Sequence, residues 1–259
     1  MMYVFDNAAP HARARLAALA DVHDEGTVRH LLARGVGDGW KCLEIGGGLG
    51  TITRWLSDRV GPRGYVLTTD IDTRFLATIG RGNVEVRRHD ILTDPLPDST
   101  FDVACARLVL EHLSDPDLAL DRMLMAIKPG GWLVVEDFEV QSFGRDSSVD
   151  PRSKTLAAMQ RVTARAGADP RLGLSLGHRL RVRGLTQVGH EGRVQLCRGN
   201  SAAARLARLN FEQLREAILA TGLATADFEA DLARLDDEDF EWRSPILWTA
   251  WGQRPQSTR

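Results

Sequence analysis

The order of elements between residues 40 and 137 constrains this chain of 259 residues more than any other feature. Short β-type runs alternate there with helical stretches five times in succession, and such alternation marks a parallel α/β sheet. The expected strands are 41–45, 65–69, 84–87, 103–106 and 132–135. The last of them, Trp132-Leu-Val-Val135, is wholly apolar, as in a strand covered on both faces. The first runs into Gly46-Gly47-Gly48-Leu49-Gly50 and a helix over 51–60, with Ile52, Trp55, Leu56 and Val60 on one face. Asp70 and His89-Asp90 follow the second and third strands, and Glu136-Asp137 follows the fifth.

Around this centre the periodicity is helical. Residues 11–34 read as two helical stretches broken near Asp24-Glu25-Gly26, and 73–79 as a short helix. Ser114 or Asp115 caps a helix with Pro116 in its first turn. Beyond 140 come a polar loop (141–150), helices over about 151–166 and 176–183, and a strand within 185–197. Amphipathic helices follow across 201–236, and a final strand over 245–251. The expected architecture is a single domain: an N-terminal helical cap (1–38), a ligand-binding core (39–140) and substrate-side helices with a lid insertion before the last strands (141–259).

Composition narrows the function. With 33 Lys+Arg against 35 Asp+Glu, the net charge of −2 and the even spread of basic residues argue against a nucleic-acid partner. No apolar run approaches the roughly 18 residues of a membrane span, and the N-terminus lacks the basic-then-apolar order of a secretory signal, so no membrane partner and a cytoplasmic location are expected. Cys42, Cys105 and Cys197 are odd in number and far apart, which predicts buried, reduced thiols. Neither HExxH nor a calcium-loop spacing occurs, so no metal is expected.

In a doubly wound sheet, ligands bind beyond the carboxyl ends of the strands at the switch point, where the glycine loop, Asp70, Asp90 and 106–112 converge. The glycines admit a close ligand approach, and the following helix N-terminus favours an anionic group. The loop reads G-x-G-x-G, with Thr51 where a dinucleotide fingerprint wants its third glycine, and this disfavours a dehydrogenase.

Taken together, Glu44-Ile-Gly-Gly-Gly-Leu-Gly50, Asp70, Asp90-Ile91, Phe101-Asp102, Leu110-Glu-His112-Leu and Lys128-Pro-Gly-Gly131 resemble the class I S-adenosylmethionine-dependent methyltransferases of the small-molecule type. The resemblance covers about 40–137. It implies a Rossmann-like doubly wound seven-stranded sheet with an antiparallel last strand. It further implies that Gly46, Gly48 and Gly50 line the methionine moiety of S-adenosyl-L-methionine and that Asp70 takes both ribose hydroxyls. Asp90 would accept from the adenine amino group, Ile71 and Ile91 would sandwich the ring, and the backbone near Arg107 and Leu108 would meet the methionine ammonium, with Glu44 acting electrostatically nearby.

The expected reaction moves the methyl group to an oxygen, nitrogen or carbon of a small organic acceptor and releases S-adenosyl-L-homocysteine. The alternative is a cofactor-binding protein without methyl transfer. His112, just past the fourth strand, is the candidate general base because imidazole titrates near neutrality. Structural readings stand beside these: His112 as a loop anchor, Glu111 as a solvated or helix-capping acid, and Arg107 as either a substrate-carboxylate ligand or the partner of Glu136 or Asp137. Tyr3 and Phe5 form either a cap over the cofactor or a frayed end. Arg205, Arg208, Asn210 and Phe211 of the insertion belong either to a substrate cavity or to a homodimer interface. Arg107-Leu-Val-Leu110 replaces the tetrapeptide of nucleic-acid amino methylation.

Overall fold

The computed structural model describes residues 4–141 and 153–256. The chain opens with one helix, α1 (Ala12–Ala33). Strand β1 (Lys41–Ile45), helix α2 (Thr51–Val60) and strands β2 (Tyr65–Asp70), β3 (Val84–Arg88) and β4 (Phe101–Arg107) follow. Helix α3 (Pro116–Ala126), capped by Asp115 through the Leu118 N–H, leads to β5 (Ile127–Glu139). Then come α4 (Lys154–Arg165), α5 (Leu172–Val182), β6 (Thr186–Arg193) and β7 (Leu196–Arg198). The insertion holds α6 (Ala202–Gln213), α7 (Arg215–Leu219) and α8 (Phe228–Arg234), before β8 (Glu241–Arg243) and β9 (Ile246–Gln253).

Among the described residues, seven strands form one sheet in the order β3-β2-β1-β4-β5-β9-β6. β1 pairs in parallel with β2 on one side and β4 on the other, so the chain reverses its winding between β1 and β4. β9 runs antiparallel to both β5 and β6, which is the expected last strand. Alternation sorts the core: Leu43, Leu67, Ala104 and Leu133 pack on one face, while Cys42, Val66, Val103 and Val134 pack on the other with α2. The central strands are therefore buried on both sides, and each fully enclosed leucine contributes roughly 1.5–3 kcal/mol. A third cluster, with Phe5, Phe211, Phe228 and Trp242, unites the N-terminal segment with the insertion.

Several expectations are corrected. The 11–34 region is one helix, not two: it runs unbroken through Gly26, where a Cβ would lie 1.1 Å from Nη1 of Arg193, so the glycine makes room for that side chain and does not mark a break. The 73–79 region holds only a single 3-10 turn, Leu76–Thr78. The 185–197 strand is two strands: β6 stays in the main sheet, whereas β7 pairs with β8 in a separate ribbon. Tyr3 and the 142–152 stretch, including the start expected for α4, lie outside the described residues. All three cysteines are buried and free.

Candidate functional site

The glycine loop leaves β1 at its carboxyl end, and the N–H groups of Gly46 and Gly47 both donate to the Thr69 carbonyl, at 2.8 and 3.0 Å. This pins the loop to the end of β2. Gly48 has φ +52°, and a Cβ built there would approach only Leu16 of α1, at 3.6 Å, within the cavity that both residues line. Gly46 also lines it, packed against Val109. Gly50 is set back at the cap of α2, facing Ile79, and does not reach the cavity.

Asp70, the last residue of β2, accepts from Gly48 N–H with Oδ2 at 2.9 Å and from Asp72 N–H with Oδ1 at 3.0 Å. These backbone donors, with the Ile71 N–H nearby, leave part of the carboxylate's acceptor capacity for further donors. Burial raises its pKa above the ordinary carboxylate value. Glu44 is buried and takes the hydroxyls of Thr53 (2.5 Å) and Thr68 (3.3 Å) on Oε2. Desolvation outweighs those bonds and pushes it up to about 7.

The opposite wall is a buried polar network. Arg107, at the end of β4, donates to Asp24 Oδ1 at 2.7 Å and to Thr27 Oγ1 at 2.9 Å, both on α1. Its ion-pair partner is thus Asp24, not Glu136 or Asp137. Glu136 of β5, 1% exposed, accepts instead from Arg193 and Thr249, each at 2.6 Å, and from Thr27. Leu108 has φ +55°, a conformation costing a branched residue roughly 1–2 kcal/mol, and its N–H donates to the Glu136 carbonyl at 2.7 Å.

The next turn, Leu110–His112, carries two titratable side chains into the cavity wall. Burial and the positive charge of Arg15 depress His112 to about 4, so its ring is neutral at physiological pH and its protonated form is disfavoured. Glu111 is enclosed rather than solvated, and neither does it cap a helix. Burial raises its pKa, and its backbone N–H donates to Oδ1 of the fully buried Asp137 at 3.2 Å.

One continuous cavity of about 730 Å³ collects these groups. Its glycine-loop end holds Asp70, Ile71, Asp90, Ile91, Arg107 and Leu108. Ile71 is 54% exposed, a bare apolar face, and Asp90 Oδ1 accepts from Leu92 N–H at 2.8 Å. The other end is walled by Leu16 and Leu19 of α1, Met159 of α4, Asn210 and Phe211 of α6, and Trp242. Phe5 lines it too, buried, with the Arg15 guanidinium 4.5 Å above its ring. Arg205 and Arg208 point elsewhere: the first pairs with Asp21, the second with Asp236 at 2.7 Å and the Leu232 carbonyl at 2.8 Å.

Sequence reasoning missed the contribution of α1. Arg15, Leu19, His23 and Thr27 recur every four residues, so a stripe at helical period, polar except at Leu19, is turned inward over the sheet. His23 sits edge-on to Phe138, and burial, helped by the charges of Arg107 and Arg193, lowers it to about 3. The signal was present as four-residue spacing of polar residues in a helix whose outward face is no less polar.

Residues 43–135 match the family model of a methyltransferase domain. A ubiquinone/menaquinone biosynthesis C-methyltransferase of Saccharophagus degradans is 39% identical over 113 residues, 40% of this chain and 45% of that protein. A homologous enzyme of Vibrio vulnificus is 34% identical over 133 residues, 48% of each chain. The chain thus spans about half the length of the curated relatives it matches. Among solved structures, phosphoethanolamine N-methyltransferase 2 of Haemonchus contortus superposes with a TM-score of 0.62 at 15% identity, covering 99% of this chain and 61% of that one. A methyltransferase of Aquifex aeolicus superposes at 0.55 with 18% identity, covering 95% and 98%.

The fold is that of the class I methyltransferases, and the segment matched by the methyltransferase-domain model, residues 43–135, holds the glycine loop and Asp70. The Haemonchus contortus enzyme of that fold is bound to S-adenosyl-L-methionine. The residues present suit that molecule, since a Cβ at Gly48 would take up cavity space and Asp70 keeps acceptor capacity for a diol.

Proposed function

We propose that this protein transfers the sulfonium methyl group of S-adenosyl-L-methionine to a small organic acceptor. The observation that carries the reading is the single cavity, which joins the glycine loop and Asp70 to an apolar chamber under α1 and the insertion. When bound, the cofactor supplies a methyl group on a positively charged sulfur, ready for in-line displacement. Asp70 takes the two ribose hydroxyls, Asp90 accepts from the adenine amino group, and Ile71 and Ile91 cover the ring. Gly46 and Gly48 admit the methionine chain, whose ammonium meets the Arg107–Leu108 backbone and the charge of Glu44. Gly50 shapes the turn from behind. The apolar walls of the chamber exclude water and hold the acceptor in line with the methyl group, and alignment of this kind supplies most of the acceleration in such a displacement.

Calorimetric titration of S-adenosylmethionine, S-adenosylhomocysteine and NAD into wild type and Asp70→Ala tests this. Micromolar adenosyl binding, lost in Asp70→Ala, is expected, followed by transfer of labelled methyl to an acceptor. Preference for NAD would overturn it. The fold is also that of the [4+2]-cyclase SpnF (TM-score 0.50, 22% identity), so adenosyl binding with no transfer to oxygen, nitrogen or carbon acceptors would favour a non-methylating role.

A further inference from the structure

Glu111 and Asp137 form a pair of enclosed carboxyl groups at the acceptor side of the cavity. Glu111 belongs to the turn that directly follows Val109, and Val109 packs against Gly46 of the glycine loop. That places the Glu111 side chain in the cavity wall, adjacent to where the methionine end of the cofactor lies. Asp137 stands behind it on β5, outside the cavity lining. Its Oδ1 accepts from Glu111 N–H, while its Oδ2 is buried with no hydrogen-bond partner among the described residues.

We propose that Glu111 takes the proton of the acceptor's attacking hydroxyl group and that Asp137 is the positioning residue that sets its charge state. The inference rests on the methyltransferase reading and assigns the base within it. Two carboxyl groups enclosed together do not both ionise. Asp137, fully enclosed and with a bare Oδ2, holds its proton longest; Glu111, at the cavity, ionises first, above the ordinary carboxylate range, and then carries the charge of the pair. Burial raises both, and a carboxylate so raised is a stronger base than one in water.

The other groups around Glu111 agree. Asp169, ahead of α5, adds negative charge and donates its N–H to the Glu111 carbonyl at 3.2 Å. Glu136 adds to the negative field on Asp137. His112 Nε2 lies 3.4 Å from Glu111 Oε1, but burial, helped by the charge of Arg15 of α1, keeps that ring neutral, so it orients the carboxylate and does not take the acceptor's proton. In the step, an electron pair of the hydroxyl oxygen forms the bond to the methyl carbon. The carbon–sulfur pair stays on sulfur, and the hydroxyl proton passes to Glu111 and leaves to water with the product.

The test pairs Glu111→Gln and Asp137→Asn with wild type, using S-adenosylhomocysteine calorimetry and labelled methyl transfer to phenol and 4-nitrophenol at about pH 8, where the first is un-ionised and the second largely ionised. Retained S-adenosylhomocysteine binding shows that both variants are folded. Glu111→Gln is expected to lose about a hundredfold in kcat/KM with phenol and less than about threefold with 4-nitrophenol, which needs no base. Asp137→Asn, which replaces a protonated carboxyl by a neutral group and keeps an oxygen for the Glu111 N–H, is expected to leave the acidic limb of the pH profile where it stands in wild type. Equal losses on both phenols, no loss in Glu111→Gln, a limb that falls by about a unit in Asp137→Asn and so shows that Asp137 carried the charge, or a wild type that binds S-adenosylhomocysteine but methylates neither phenol would overturn the assignment. A wild type that does not bind S-adenosylhomocysteine overturns the methyltransferase reading itself, and this inference with it.

Discussion

Nη2 of Arg107 lies 2.7 Å from Oδ1 of Asp24, and this one contact ties the carboxyl end of the fourth strand to the helix that roofs the cavity. Both residues are partly shielded, so the pair is neither a screened surface bridge nor a fully desolvated one. Removing Asp24 leaves the guanidinium with Thr27 as its remaining side-chain partner. Asp24→Ala is expected to cost about 1–3 kcal/mol, measured by urea denaturation, and to speed amide exchange along α1 more than in β1. Unchanged exchange in α1 would show that the contact does not hold the roof.

Gly26→Ala reverses an ordinary rule. Alanine in a helix interior is worth about 1 kcal/mol over glycine. Here the added methyl group would overlap the Arg193 guanidinium, and displacing that group strips the buried Glu136 of its ion-pair partner among the described residues. Unpairing a buried charge costs about 3–5 kcal/mol, less here because Thr27 and Thr249 still donate. The expected net loss is about 2 kcal/mol by chemical denaturation. In an Arg193→Met background the same substitution is expected to stabilise by about 1 kcal/mol, a sign change that a double-mutant cycle reads directly.

Glu44 gives the stability a pH dependence of known sign. Its folded pKa of about 7 exceeds the ordinary glutamate value, so between about pH 4.5 and 7 the folded state binds more protons than the unfolded one. The contribution is full below that window and is lost as pH rises through it. Glu44→Gln, which keeps an oxygen for Thr53 and Thr68, is expected to flatten the stability profile there by up to about 1.4 kcal/mol per pH unit. An unchanged slope in denaturant titrations at several pH values would count against a raised Glu44.

Gly48→Ala separates binding from folding. Its φ of +52° imposes a cost of about 1–2 kcal/mol on any L side chain, while the nearest atom, Leu16 Cδ2 at 3.6 Å, permits ordinary contact. The melting temperature should fall by a few degrees, and S-adenosylhomocysteine affinity by about tenfold or more, because the methyl group enters the cofactor's space. Wild-type affinity in the variant would place the cofactor elsewhere.

The parallel core was legible because local chemistry and long-range order agree in it. Apolar runs of strand length, the glycine loop after β1 and the acids after β2 and β3 each report a backbone requirement that neighbours in sequence satisfy. Asp70, Asp90 and the Gly46–Gly48 turn follow from that alone. The insertion was legible as amphipathic helices, although their boundaries were not, since α6 and α7 meet at Leu214 without a glycine or proline to mark the break.

Pairings across the sheet were not legible. The sequence by itself determined the α/β class, the succession of strands and helices in the core and the position of the glycine loop, because each depends on periodicity and turn chemistry over a few residues. Only the tertiary structure decided that Arg107 meets Asp24, that Arg193 crosses over Gly26 to Glu136, and that Glu111 is closed in with Asp137. Those contacts join residues 26 to 167 positions apart, and charged side chains choose partners by where packing leaves them enclosed, not by their spacing along the chain. Burial likewise turned Glu111 from an apparent surface acid into a group able to hold a proton near neutrality, and left His112, the imidazole expected to do so, neutral.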